Sequence, residues 1–147
     1  MPSCDYILPI QNCASSEKQA NYGCEKMSDG KDRTLWRSMS DLNKIYDWVH
    51  FGLREKYLIN KLRIRSYSSN GPKDIDLHFS NTRLHHKLSQ GKSGKIGEWE
   101  DIEVLPSAIV SRYLNLTVIN QYVSTTQGTD TDTYLDEIQI LGCRQGN

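Results

Sequence analysis

The sequence predicts an all-β fold, an antiparallel β-sandwich, on three observations. Apolar and polar residues alternate at period two from the middle of the chain to its end, helical periodicity is nearly absent, and turn-forming clusters separate the alternating runs. At 147 residues the chain has the length of one ordinary domain, so a single sandwich domain over residues 1–147 is expected. Hydrophobic residues make up 37% of it, a modest share, but three Trp, eight Tyr and a steady supply of Ile, Leu and Val are enough for one core. Mean hydropathy of −0.63 points to a large polar surface and long loops.

The elements follow in order. Asp47-Trp48-Val49-His50-Phe51-Gly52-Leu53 alternates before a turn, and residues 58–67 form a second run. In that run Leu62 and Ile64 share a face, with Lys61, Arg63 and Arg65 opposite. Ser68-Ser69-Asn70-Gly71-Pro72 is the clearest turn signal. A third strand places Ile75, Leu77 and Phe79 inward and Asp74, Asp76 and His78 outward. Residues 81–97 are polar and Gly-rich, a loop or irregular hairpin. Two more strands are expected around Trp99 to Val104 and Arg112 to Ile119; in the latter Leu114, Leu116 and Val118 alternate with Tyr113, Asn115 and Thr117. A Thr, Gly and Asp-rich loop at 124–133 precedes a closing strand from Tyr134 to Leu141.

Basic and acidic residues both number 18, a formal charge of zero, which argues against a whole-chain electrostatic grip on nucleic acid or an anionic membrane. No apolar run approaches the roughly 18–20 residues a membrane helix needs. Met1-Pro2-Ser3-Cys4-Asp5 lacks the charged and apolar regions of a signal peptide, so an extracellular reading expects a leader already removed. The four cysteines, Cys4, Cys13, Cys24 and Cys143, allow three pairings. None stands in a CxxC, which disfavours thiolate zinc. A bridge from the N-terminal segment to Cys143 would contribute about 5 kcal/mol by the loop-entropy model, and a Cys13 to Cys24 loop about 3. Such bridges need an oxidising compartment; buried free thiols in a cytosolic domain are the alternative.

Catalytic motifs are scarce. His50, His78, His85 and His86 fall in no HExxH, and there is no GxSxG elbow. His85-His86 is read as a loop pair whose imidazoles point apart, a poor chelate. Gln90-Gly91-Lys92-Ser93 resembles the end of a phosphate-binding loop, but the glycine required five residues before Gly91 is His86. Asp74 and Asp76 lie on the polar face of a strand, where solvated charge is the default. Asn115-Leu116-Thr117 is a formal N-glycosylation sequon, and alternation turns Asn115 to solvent.

The stretch Ser28-Asp29-Gly30-Lys31-Asp32-Arg33-Thr34-Leu35-Trp36 gathers two carboxylates, a hydroxyl and a glycine bend, the oxygen ligands a hard cation such as Ca²⁺ takes. It resembles the DG-x-x-T-x-W loop of the discoidin, or coagulation factor 5/8 type C, family, a group of galactose-binding-like jelly rolls that includes many carbohydrate-binding modules. Other segments are similar in family order. Ala14-Ser15-Ser16 precedes Asp29-Gly30 with Thr34, Trp36 and Ser38, and Asp47 to Leu53 follows with His50-Phe51-Gly52-Leu53 in place of the usual strand ending. Ile64, Pro72 to Ile75, Phe79-Ser80-Asn81, Trp99, Arg112-Tyr113-Leu114 and Asp136 to Cys143 complete the set.

The resemblance implies a jelly roll with three structural tryptophans, a domain that binds rather than catalyses, and an end-to-end disulfide. Cys4 to Cys143 with Cys13 to Cys24 is the pairing it favours, Cys13 or Cys24 being able to replace Cys4. Carried over by position, it implies a structural Ca²⁺ held by Asp29, Asp32, Thr34 and Glu137. Ligands of the family meet loops at one end of the sandwich, which nominates Tyr46, Arg65, Tyr67, Asn70 and Tyr122 for a glycan or glycoprotein: Arg and Asn forking onto vicinal hydroxyls, Tyr stacking on a sugar face. The fucose-binding branch is disfavoured, because Arg65 is followed by Ser66 and Tyr67 rather than by an R-x-D signature. The competing reading is an intracellular adaptor jelly roll of the ciliary or ubiquitin-ligase type. Lipid-headgroup binding would rest on Met39, Leu42 and Ile45 beside Arg37 and Lys44, a faint version of apolar spikes among basic loops.

Overall fold

A computed structural model of the chain describes residues 4–15, 23–28, 36–37, 47–65, 74–79, 81–87, 98–104, 108–119 and 134–144. Its strands are β1 (Tyr6–Ile7), β2 (Ile10–Ser15), β3 (Trp36–Arg37), β4 (Asp47–Arg65), β5 (Asp74–Phe79), β6 (Thr82–Lys87), β7 (Glu100–Glu103), β8 (Ile109–Val118), β9 (Tyr134–Leu135) and β10 (Glu137–Arg144), with a 3-10 turn at Cys24–Ser28. The main sheet runs β1-β10-β4-β8-β5-β6, β2 and β7 also pair with β4, and β3 pairs with β9. All pairings are antiparallel. The architecture is the antiparallel β-sandwich that the alternation predicts.

β4 organises it. Its first half lies between β8 and β2, and its second half between β10 on one side and β7 with the start of β8 on the other. The register breaks between Gly52 and Tyr57 against β8, and opposite Leu141/Gly142 against β10. Such bulges bend a strand and raise its twist, and along its 19 residues this one strand pairs with β2, β8, β10 and β7. The sequence reading divided this stretch into two strands with a turn between. Arg54, Glu55 and Lys56 are exposed as turn residues would be, but the chain absorbs them as a bulge and stays extended.

Burial follows the predicted parity. Val49, Phe51, Leu53, Leu62, Ile64, Ile75, Leu77, Phe79, Leu114, Leu116, Val118, Ile138 and Ile140 merge into one core cluster. Burying each such side chain contributes about 1.5–3 kcal/mol. Three boundaries differ from the sequence reading: β8 begins at Ile109, the closing run is broken at Asp136 and continues to Arg144, and Thr82–Lys87 is a true strand paired with β5. His85 and His86 therefore stand on a strand rather than in a loop. Their side chains take opposite faces, as the alternating burial of β6 shows.

All four cysteines are paired, Cys4 with Cys143 and Cys13 with Cys24. The first bond ties the segment leading into β1 to β10, beside the register Tyr6↔Gly142 and Ile7↔Leu141. The second fastens β2 to the 3-10 turn. Cys13, Cys24 and Glu25 bring potential ligand atoms within 4.8 Å of one another, but both sulfurs are consumed in the bond, so the trio is no metal site. No helix among the described residues is long and apolar enough to cross a membrane.

Candidate functional site

Two regions gather polar side chains. The first lies where β10 begins. Glu137 pairs in register with Arg65 at the end of β4, and the Asp136 N–H donates to the Arg65 carbonyl at 3.1 Å. Asp136 and Glu137 are only 1% and 4% exposed, and buried carboxylates require compensating charge or hydrogen bonds. The Arg65 guanidinium sits over the Trp99 ring at 4.4 Å, with Arg63 at 5.1 Å. Arg63 Nε also donates to Asp101 Oδ1 at 2.9 Å.

The neighbourhood of Glu137 includes both flanks of the 29–35 stretch. Before it, the 3-10 turn packs on β10 and β3; after it, Trp36 pairs with Leu135, two residues ahead of Glu137. Asp29, Asp32 and Thr34 themselves lie outside the described residues, as do Tyr46, Tyr67, Asn70 and Tyr122. Of the nominated metal and ligand residues, Glu137 and Arg65 are described, and the fold makes them cross-strand partners.

The second region is the outer face of the sheet, opposite the core. Strand register lines up two rows across β4, β8, β5 and β6: His50, Asn115, His78 and Arg83 in one, and Trp48, Thr117, Asp76 and His85 in the next. Between them lies an open groove of about 460 Å³ lined by Trp48, Asp76, His78, Arg83, Asn115, Thr117 and Ile119. Trp48 is 42% exposed. It is thus not a core tryptophan: Val49 and Phe51 take the inward positions, which sends Trp48 outward by parity. Trp99 is half-buried under its two arginines. The sequence points to Asn115 through its sequon but not to the groove, because Arg83 falls in the 81–97 stretch that reads as a loop or irregular hairpin and carries no register.

Within this face His50 Nδ1 donates to Asn115 Oδ1, and the His50 ring stacks on Tyr113 with centroids 5.7 Å apart. His85 is held by Asp76 at 3.0 Å and Asp74 at 3.4 Å. The hydrogen bond to Asp76, with Asp74 behind it, raises the His85 pKa above the ordinary imidazole value of about 6.5. The small stability this contributes to an exposed group is complete below that unfolded value and lost as pH rises through the folded one. An NMR titration is expected to find the His85 midpoint above that of free histidine, and Asp76→Asn is expected to move it back; an unmoved midpoint would assign the shift to another cause.

A family model for the F5/8 type C domain matches residues 11–130. The chain belongs to the F5/8 type C family. No curated protein sequence matches it. Solved structures share the fold at low identity. An F5/8 type C domain from Bacteroides fragilis superposes with a TM-score of 0.70 at 12% identity, covering 97% of this chain and 99% of that one. The family 32 carbohydrate-binding module of C. perfringens NanJ, in complex with galactose, gives 0.67 at 12% identity, covering 88% and 92%. A truncated AlyQ with CBM32 and alginate lyase domains gives 0.69 at 16% identity; this F5/8 type C chain covers 34% of it and is itself covered to 95%.

Proposed function

We propose that this F5/8 type C chain is a non-catalytic extracellular recognition module that binds a glycan or glycoprotein through loops at one end of the sandwich, with a structural calcium ion nearby. The observation that carries the reading is the match of fold along almost the whole chain to solved carbohydrate-binding modules, among them one in complex with galactose and one with GalNAc-β-1,3-galactose. Both disulfides favour an oxidising compartment over an intracellular adaptor. Tyr46, Arg65, Tyr67, Asn70 and Tyr122 are the candidate contacts.

Calcium is supported by the surroundings of Glu137. A buried carboxylate beside the anchored flanks of an Asp-Gly loop is the kind of oxygen-rich corner that takes a hard cation, and Asp29, Asp32 and Thr34 would complete the set. Glycan-array binding with and without calcium tests both parts. On metal-free protein, calcium at a hundredfold excess over Kd is expected to add about 2.7 kcal/mol and raise Tm by roughly 5 °C or more. Asp29→Ala and Glu137→Ala should abolish the shift, while Tyr67→Ala should keep it and weaken glycan binding. Identical melting curves in calcium and in chelator would defeat the metal assignment; an array blank under both conditions would defeat the glycan reading.

A further inference from the structure

The groove lies on the outer face of the sheet, on side chains of β4, β8, β5 and β6. Trp48 stands on β4 and Arg83 on β6, three strand spacings apart, about 14 Å. That span exceeds one pyranose ring, so a ligand touching both ends is a short oligosaccharide. An exposed indole offers a flat apolar surface to the C–H face of a sugar. Beside it Thr117, Asn115 and His78 offer hydroxyl, amide and imidazole groups to sugar hydroxyls. With Asn115 Oδ1 engaged by His50, its Nδ2 is the atom left to donate.

Charge decides the kind of sugar. Asp76, the carboxylate lining the groove, is bonded to His85 at 3.0 Å. Arg83 also lines the groove, and among the described residues it is joined to no carboxylate. The groove therefore presents an uncompensated guanidinium at one end, and guanidinium recognises carboxylate through paired N–H donors.

We propose that this groove is a second saccharide site of the chain, on the sheet face, and that it takes a short acidic oligosaccharide, one sugar stacked on Trp48 and a carboxylate on Arg83. The proposal borrows its ligand class from the glycan-binding reading but rests on different residues. It also gives the sequon a consequence: a glycan on Asn115 would fill the groove, so the site exists only on unmodified protein.

The test uses the full chain from a bacterial host that leaves Asn115 unmodified. Trimers of galacturonate, mannuronate and glucuronate, each with its neutral counterpart, are titrated while the Trp48 indole and Asn115 side-chain amide are followed by NMR. At least one acidic trimer is expected to shift both signals and to bind tenfold or more tightly than its neutral counterpart. Arg83→Gln should remove that preference, and Trp48→Ala should weaken both forms tenfold or more, with melting curves checked for each variant. If no acidic trimer moves either signal, or Arg83→Gln keeps the preference, the sheet-face site is overturned. Array binding that is lost in Tyr67→Ala, together with acidic trimers that move neither signal, would sink this site alone and leave the loop-end reading standing.

Discussion

Replacing Cys4 and Cys143 together by serine is expected to cost about 5 kcal/mol, because the bond between them closes a loop of 139 residues and removes that much conformational freedom from the unfolded chain. For a chain of this length the loss corresponds to a fall in Tm of roughly 15 °C. The Cys13/Cys24 double variant is expected to lose less, about 3 kcal/mol, since its loop spans 11 residues. Urea unfolding of the two variants beside the parent protein measures both. Equal losses, or less than about 1 kcal/mol from the long-range pair, would mean that the unfolded chain is already compact enough to make the tether redundant.

Among the described glycines, Gly142→Ala is expected to be the most damaging substitution. A Cβ there would stand 1.9 Å from the Leu58 carbonyl oxygen, a backbone atom of the neighbouring strand. Neither side can give way easily. β10 is paired on both flanks, with β1 and with β4, and Cys143 next door is held by its disulfide. The cost is expected near 3 kcal/mol, the upper end for overpacking, or about 10 °C in Tm. Gly52→Ala is the internal control. Its Cβ would meet Asn12 Oδ1 at 2.3 Å, but that atom ends a movable side chain at an exposed position, so the loss should be much smaller. Similar melting temperatures for the two variants would refute the contrast.

The strands that could be read in the sequence are those buried on one face. Leu114, Leu116 and Val118, or Ile75, Leu77 and Phe79, announce themselves because each inward position is apolar and each outward one polar. β6 offers only Leu84 among polar neighbours, half-buried at the edge of the sheet, so period two carries no hydrophobic signal there. β1 is two exposed residues, Tyr6 and Ile7, held by pairing with β10 rather than by burial. The bend in β4 was hidden for a different reason: Arg54-Glu55-Lys56 has the polarity of a turn, and only the partner strands decide that it becomes a bulge. The disulfide partners follow from the terminal placement of the cysteines together with the resemblance, since the count alone leaves three pairings open. The sheet-face groove required register between four strands, and one of those strands was unread.

The Cys4–Cys143 bond also decides how the fold answers mechanical force. Its Cα atoms are 4.8 Å apart, so tension applied to the chain outside residues 4–143 passes from one side to the other through a covalent link. The sheet between carries none of the load. Were the bond reduced, the same pull would fall on β1 and β10, which are antiparallel neighbours with Tyr6 opposite Gly142. They would part like a zipper, one hydrogen-bonded pair at a time, instead of resisting in shear. Reduction would thus turn an inextensible tether into an extensible one, with the chain between the two cysteines as the length released.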